Sequence, residues 1–148
     1  MNYSLKQEGE FNYVEIGEGQ PIIILHGLMG GLSNFDGVTD FFSKNGYMVV
    51  FPELPLYSLS LLKTNVKSFS NYLNDFIEFK GYKDVILIGN SLGGHIGLYY
   101  TKLYPKEVKA LIITGSSGLY ESAMGSGYTK RSDYEVMKAK AQEVFYDP

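Results

Sequence analysis

The feature that most constrains this chain is a serine set between two glycines where an apolar strand becomes a helix. Asp84-Val85-Ile86-Leu87-Ile88 is a short apolar run that reads as a buried strand. Gly94 to Tyr104 carries apolar residues at helical spacing and is stopped by Pro105. Between them stands Gly89-Asn90-Ser91-Leu92-Gly93. A turn that sharp brings positions two residues either side of the serine against neighbouring backbone, and glycine, lacking Cβ, avoids the collision. Ser91 is then lifted clear of the sheet, above the free N–H groups and positive dipole end of the new helix. This is the arrangement called a nucleophile elbow.

A second segment belongs with it. Pro21-Ile22-Ile23-Ile24-Leu25 is another buried strand, and it ends in His26-Gly27-Leu28-Met29-Gly30-Gly31. Acyl transfer through a serine develops negative charge on the former carbonyl oxygen, which preorganised donors must meet. One donor is the N–H of the residue after the nucleophile, here Leu92. The other comes from a glycine-rich loop after an earlier strand. With both segments in view, the chain resembles the α/β-hydrolase family: HGLMGG is similar to its His-Gly oxyanion loop and GNSLGG to its nucleophile elbow. The resemblance implies that Ser91 is the nucleophile and that the backbone N–H groups of Leu28 and Leu92 form the oxyanion hole. It implies structural support from His26, Gly27, Gly89 and Gly93, and a reaction on a small acyl substrate with neither cofactor nor metal.

The remaining chain alternates strands and helices. Phe11 to Ile16 reads as an early strand. Ser33 or Asn34 is expected to cap a helix that turns Phe35, Val38, Phe41 and Phe42 inward, closed by Asn45-Gly46. Tyr47 to Phe51 is a strand stopped by Pro52. Val66, Phe69, Leu73, Phe76, Ile77 and Lys80 mark one face of a helix with Gly81 at its C-terminal cap. Val108 to Thr114 is a further strand. Strands this apolar argue a mostly parallel sheet with helices on both faces. Ligands bind such sheets at the carboxyl ends of the strands, where His26, Ser91 and Ser116 fall. The expected organisation is a core over 1–118 and the beginning of a helical lid over 119–148. Ser132-Asp133-Tyr134-Glu135 has the form of a capping box opening a helix there.

Composition excludes several classes. There is no cysteine in the 148 residues, so disulfides, thiolate metal sites and a cysteine nucleophile are absent. A net charge of −3 gives no basic footprint for nucleic acid or an anionic membrane. No apolar run approaches a membrane span, and Met1 to Lys6 lacks the apolar centre of a signal peptide, so a cytoplasmic location is expected.

The triad is incomplete. A general base must reach the serine, and imidazole has the suitable pKa. The sequence has two histidines. His26 belongs to the oxyanion loop. His95 follows Ser91 by one helical turn and is expected on the buried face of its helix, packed and hydrogen-bonded. Neither stands where the family places its histidine, after the acid. Glu121 and Asp133 follow the Val108–Thr114 strand later than the family's acid would. Glu53 stands where many members carry Asp, and Leu56, Tyr57 and Ser58 replace a glycine-rich tip in the same loop. The resemblance covers nearly all of this chain but about three-fifths of a typical member, a single domain of roughly 200–250 residues. The chain is therefore expected to be a fragment truncated after the sixth strand, either the N-terminal part of a longer polypeptide or a truncated gene product. The downstream segment, or self-association, would cover the open sheet edge. Two other readings stay open: an acyltransferase or a cofactor-free lyase or peroxidase using the same elbow, and a non-catalytic ligand-binding protein or pseudoenzyme of this fold.

Overall fold

The computed structural model describes residues 3–28, 30–55 and 65–119. The chain divides into two compact units, Met1–Gly118 and Leu119–Pro148, and the elements below all lie in the first. They run in the order β1 (Lys6–Glu8), β2 (Phe11–Ile16), β3 (Gln20–Leu25), a 3-10 turn (Leu32–Phe35), α1 (Asp36–Ser43), β4 (Tyr47–Pro52), α2 (Val66–Lys80), β5 (Val85–Asn90), α3 (Leu92–Leu103) and β6 (Val108–Thr114). The strands form one sheet in the order β1-β2-β4-β3-β5-β6. β1 pairs antiparallel with β2, and β2 antiparallel with β4. The β4–β3, β3–β5 and β5–β6 pairs are all parallel.

Alternation along the strands divides the core into two layers, because successive side chains point to opposite faces. Ile22, Ile24, Val49, Phe51 and Ile88 pack on one face with Phe35, Val38 and Phe42 from α1 and the turn before it. Ile23, Leu25, Val50, Val85 and Leu87 pack on the other with Phe69, Leu73, Phe76 and Ile77 of α2 and Ile96 and Tyr100 of α3. Each fully buried side chain of this size contributes about 1.5–3 kcal/mol. The mostly parallel sheet with helices on both faces is the architecture that the apolar strands imply.

Caps place the helices. Asn65 accepts a hydrogen bond from the Ser68 N–H at 2.9 Å and so starts α2, while Gly81, at φ 66°, ends it in the left-handed conformation. α1 departs from expectation. Neither Ser33 nor Asn34 caps it; the chain enters through a 3-10 turn that follows Gly31, and no side chain bonds the helix start. The inward face also differs, with Thr39 buried and Phe41 61% exposed. The helix is rotated so that Phe35, Val38, Thr39 and Phe42 meet the sheet, and Phe41 instead lies edge-on to Phe42.

β6 pairs only with β5 among the described residues, and its burial is the lowest of the apolar strands. Ile112 is 46% exposed. The open apolar edge expected after the sixth strand is therefore present in the described part. No described helix is long and apolar enough to cross a membrane. The capping box at Ser132–Glu135 and the lid expected beyond Leu119 lie outside the described residues, as do Leu56, Tyr57 and Ser58.

Candidate functional site

β5 ends at Asn90, and α3 begins at Leu92 with Ser91 as its N-cap. Ser91 has φ 52° and ψ −116°, a region that residues with a Cβ rarely occupy. Such conformations cost about 1–3 kcal/mol and persist only when the surroundings impose them. The glycines show why the turn can close. A Cβ on Gly89 would lie 2.6 Å from the Gly93 carbonyl oxygen, and one on Gly93 would lie 2.0 Å from that of Leu25. Both positions therefore demand glycine. Gly94 and Gly97 continue the close approach, the first against Ser116 and the second against Leu111. Ser91 is exposed at the tip.

The loop after β3 runs beside this tip. A Cβ on Gly27 would stand 3.1 Å from the Ser91 Cβ, so the two segments are in contact. The loop is shaped by two bonds: Gly30 N–H donates to the Gly27 carbonyl at 3.1 Å, and His26 Nδ1 lies 2.7 Å from that same oxygen. A carbonyl can only accept, so Nδ1 is the donor in this contact. The His26 ring lies parallel to Phe51 with centroids 6.0 Å apart. His26 thus holds its own loop in shape. Leu28 is 54% exposed and Leu92 half-buried against the α2–α3 core. The Leu92 N–H is the first of α3 and has no carbonyl of its own helix to bond. Met29 lies outside the described residues.

His95 is not where the sequence places it. The face of α3 against the sheet is made by Gly93, Ile96, Gly97 and Tyr100, and His95 is half-exposed. Its ring sits under the turn after β6, where a Cβ on Gly118 would fall 2.6 Å from Nε2. Its backbone N–H bonds the Ser91 carbonyl at 3.2 Å, but its imidazole has no hydrogen-bond partner among the described residues. The Ser91 hydroxyl has none there either. The structure therefore brings together Ser91, Gly27, His26, Gly89 and Gly93, and supplies no base to Ser91 among the described residues. Glu53 serves the backbone: its N–H bonds the Asn12 carbonyl and its carbonyl accepts from the Tyr72 hydroxyl at 3.0 Å. Glu121 and Asp133 lie outside the described residues. No group of three His, Asp or Glu side chains converges as metal ligands would among the described residues.

A cleft of about 440 Å³ lies elsewhere, lined by Ile77, Gly81, Tyr82 and Asp84 with Lys106 and Glu107. It sits at the amino ends of β5 and β6, whereas ligands of open parallel sheets bind at the carboxyl ends. It also holds no serine–histidine pair. Geometry favours the elbow over the cleft.

The sequence profile of the alpha/beta hydrolase fold matches residues 20–139. The chain belongs to the α/β-hydrolase fold family. An α/β-hydrolase enzyme from the metagenome of lagoon sediments at Mar Chica, Morocco, is 68% identical in sequence and superposes with a TM-score of 0.76, over 80% of this chain and 54% of that one. Lipase 1 of Psychrobacter immobilis is 29% identical over 90% of this chain and 44% of its own length. A 2-hydroxy-6-oxononadienedioate/2-hydroxy-6-oxononatrienedioate hydrolase of Comamonas testosteroni is 34% identical over 73% of this chain and 40% of its own. This α/β-hydrolase chain thus spans roughly two-fifths to a half of the relatives it matches.

Asn90 and Thr114 are site residues that the sequence reading passed over. Asn90 Nδ2 donates to both the backbone oxygen and Oγ1 of Thr114, each at 3.1 Å. The available signal was an amide side chain directly before the elbow serine.

Proposed function

We propose that the polypeptide to which this chain belongs is a serine hydrolase that cleaves an ester or related acyl bond through an acyl-enzyme on Ser91. The observation that carries the reading is the contact between a strained, exposed Ser91 and the Gly27 loop at the carboxyl end of the parallel sheet. In this reading Ser91 Oγ bonds to the substrate carbonyl carbon as its proton passes to a histidine. The Leu28 and Leu92 N–H groups hold the resulting oxyanion. Collapse breaks the bond to the alcohol, which takes the proton back. Water then repeats the sequence and frees the acid. In this reading the histidine and its acid lie beyond these 148 residues, since His26 bonds its own loop and the His95 imidazole, beneath the turn after β6, makes no bond to Ser91. Substrate lies among small acyl compounds, and the relatives include a lipase and a hydrolase of 2-hydroxy-6-oxo acids.

The experiment is turnover of p-nitrophenyl esters by the intact polypeptide and its Ser91→Ala variant. Turnover by the first and a loss of several orders of magnitude in the second are expected. A fully active Ser91→Ala enzyme would contradict the reading. An inert intact protein that binds small apolar ligands would favour the alternative, a binding protein on the same fold; the unpartnered Ser91 hydroxyl is the observation behind it.

A further inference from the structure

The strained backbone at Ser91 must be held by its neighbours, and the hydrogen bonds around it show which ones. The Ser91 N–H donates to the Thr114 carbonyl at 3.1 Å, and the Ser91 carbonyl accepts from the N–H groups of His95 and Ser117, both at 3.2 Å. These are backbone groups and come with the fold. The remaining tie is a side chain: Asn90 Nδ2 reaches the same Thr114 carbonyl and also Thr114 Oγ1, both at 3.1 Å. A carbonyl cannot donate, so the nitrogen of the amide must face Thr114. Its oxygen then faces the other way, where a Cβ on Gly27 would stand 3.3 Å from Oδ1. One amide therefore spans the gap between the end of β6 and the loop after β3, with Ser91 next to it in the chain.

We propose that Asn90 is a positioning residue for Ser91, fixing the elbow to β6 and setting its distance from the Gly27–Leu28 loop. It acts through the Ser91 backbone and touches no reacting atom. The register supports the assignment, since Asn90 and Thr114 are paired residues of β5 and β6. The residue type does too. Aspartate has the same shape but no donor: its carboxylate can accept from the Thr114 hydroxyl but faces the Thr114 carbonyl with no hydrogen to give it. Leucine fills the space and bonds nothing. The consequence for rate rests on the Ser91 reading above; the tie itself does not.

The test uses the intact polypeptide with Asn90→Asp, Asn90→Leu, Thr114→Val and Thr114→Ser. Amide hydrogen exchange reports the tie, and the rates of fluorophosphonate labelling and ester turnover report its effect. Both Asn90 variants should exchange faster at the Ser91 and Ser117 amides while α2 stays protected. Labelling and kcat should fall about ten- to a hundredfold with KM little changed, as expected for misplacement of a reacting group by an ångström or less. Thr114→Val, which keeps the carbonyl acceptor, should show a smaller effect, and Thr114→Ser should restore the wild-type rate. Unchanged exchange at the elbow in both Asn90 variants would overturn the proposal. So would faster exchange with an unchanged labelling rate, or loosening spread evenly through α2 and the sheet. If the wild type is not labelled at all, faster exchange confined to the elbow still supports the tie, and the Ser91 reading is the one that fails.

Discussion

Ser91 owes its conformation to two missing Cβ atoms, at Gly89 and Gly93, and each can be put back. Gly93→Ala places a methyl group 2.0 Å from the Leu25 carbonyl oxygen, which is backbone and cannot move aside cheaply. The expected result is a loss of about 1–3 kcal/mol in a urea melt, together with loss of ester turnover. Gly27→Val should also cut turnover, by crowding a position 3.1 Å from the Ser91 Cβ. Leu28→Ala should be mild, because the proposed donor is backbone and the side chain is largely exposed. Equal losses in these two variants, measured as kcat/KM, would count against the oxyanion assignment. The elbow was legible because its requirements are local: a strand, a turn and a helix within twenty residues. His95 was misplaced because facing depends on how α3 rolls on the sheet. The glycines at 93 and 97 decide that roll by letting the helix approach Leu25 and Leu111. Asn90 was passed over because its partner, Thr114, lies 24 residues away on another strand.

Among the elements, β2 and the α2–β5 connection are tied by a charged cluster. The Tyr82 hydroxyl donates to Glu15 at 2.5 Å, Lys6 approaches Glu15 at 2.9 Å, and Lys80 lies 3.3 Å from it. Lys80 also bonds the Tyr13 hydroxyl at 2.6 Å. Burial alone would push the Glu15 carboxyl up, but the bonds from Tyr82, Lys6 and Lys80 outweigh it and hold its pKa at about 2. A depressed carboxyl stabilises the fold above its unfolded pKa, near 4.5, and the contribution is lost as pH falls towards 2. Glu15→Gln should therefore be less stable than wild type at pH 7, by about 1–3 kcal/mol. The difference should shrink steadily below pH 4.5 in melts of the two proteins. A gap that stays constant down to pH 2.5 would contradict this. α2 was readable from its periodicity and Gly81. β1 was not, since Lys6-Gln7-Glu8 has no apolar alternation and forms a strand only because β2 offers it an edge. The 3-10 entry to α1 was hidden for a related reason, with Gly31 and the Gly27 loop setting it in place of a capping side chain.

At the scale of the whole molecule, the mostly parallel sheet and its two core layers followed from apolar strands alternating with helices, whereas the strand order came from the structure. The open side at β6 is seen among the described residues, where β6 pairs with β5 alone. Expressed alone, the 148-residue chain should self-associate or bind a hydrophobic dye through the sheet face around Ile112, and hydrolyse p-nitrophenyl esters barely above background. A polypeptide of the relatives' length should be soluble and active. A soluble, monomeric 148-residue chain with ordinary esterase rates, lost in His95→Ala, would overturn this and make His95 the base. The central claim, that Ser91 is the nucleophile, is tested most directly by reacting the intact polypeptide with a fluorophosphonate probe and mapping the modified peptide by mass spectrometry. The account predicts a single stoichiometric adduct on Ser91, absent from Ser91→Ala. An adduct on another residue, or labelling that persists in Ser91→Ala, would contradict it.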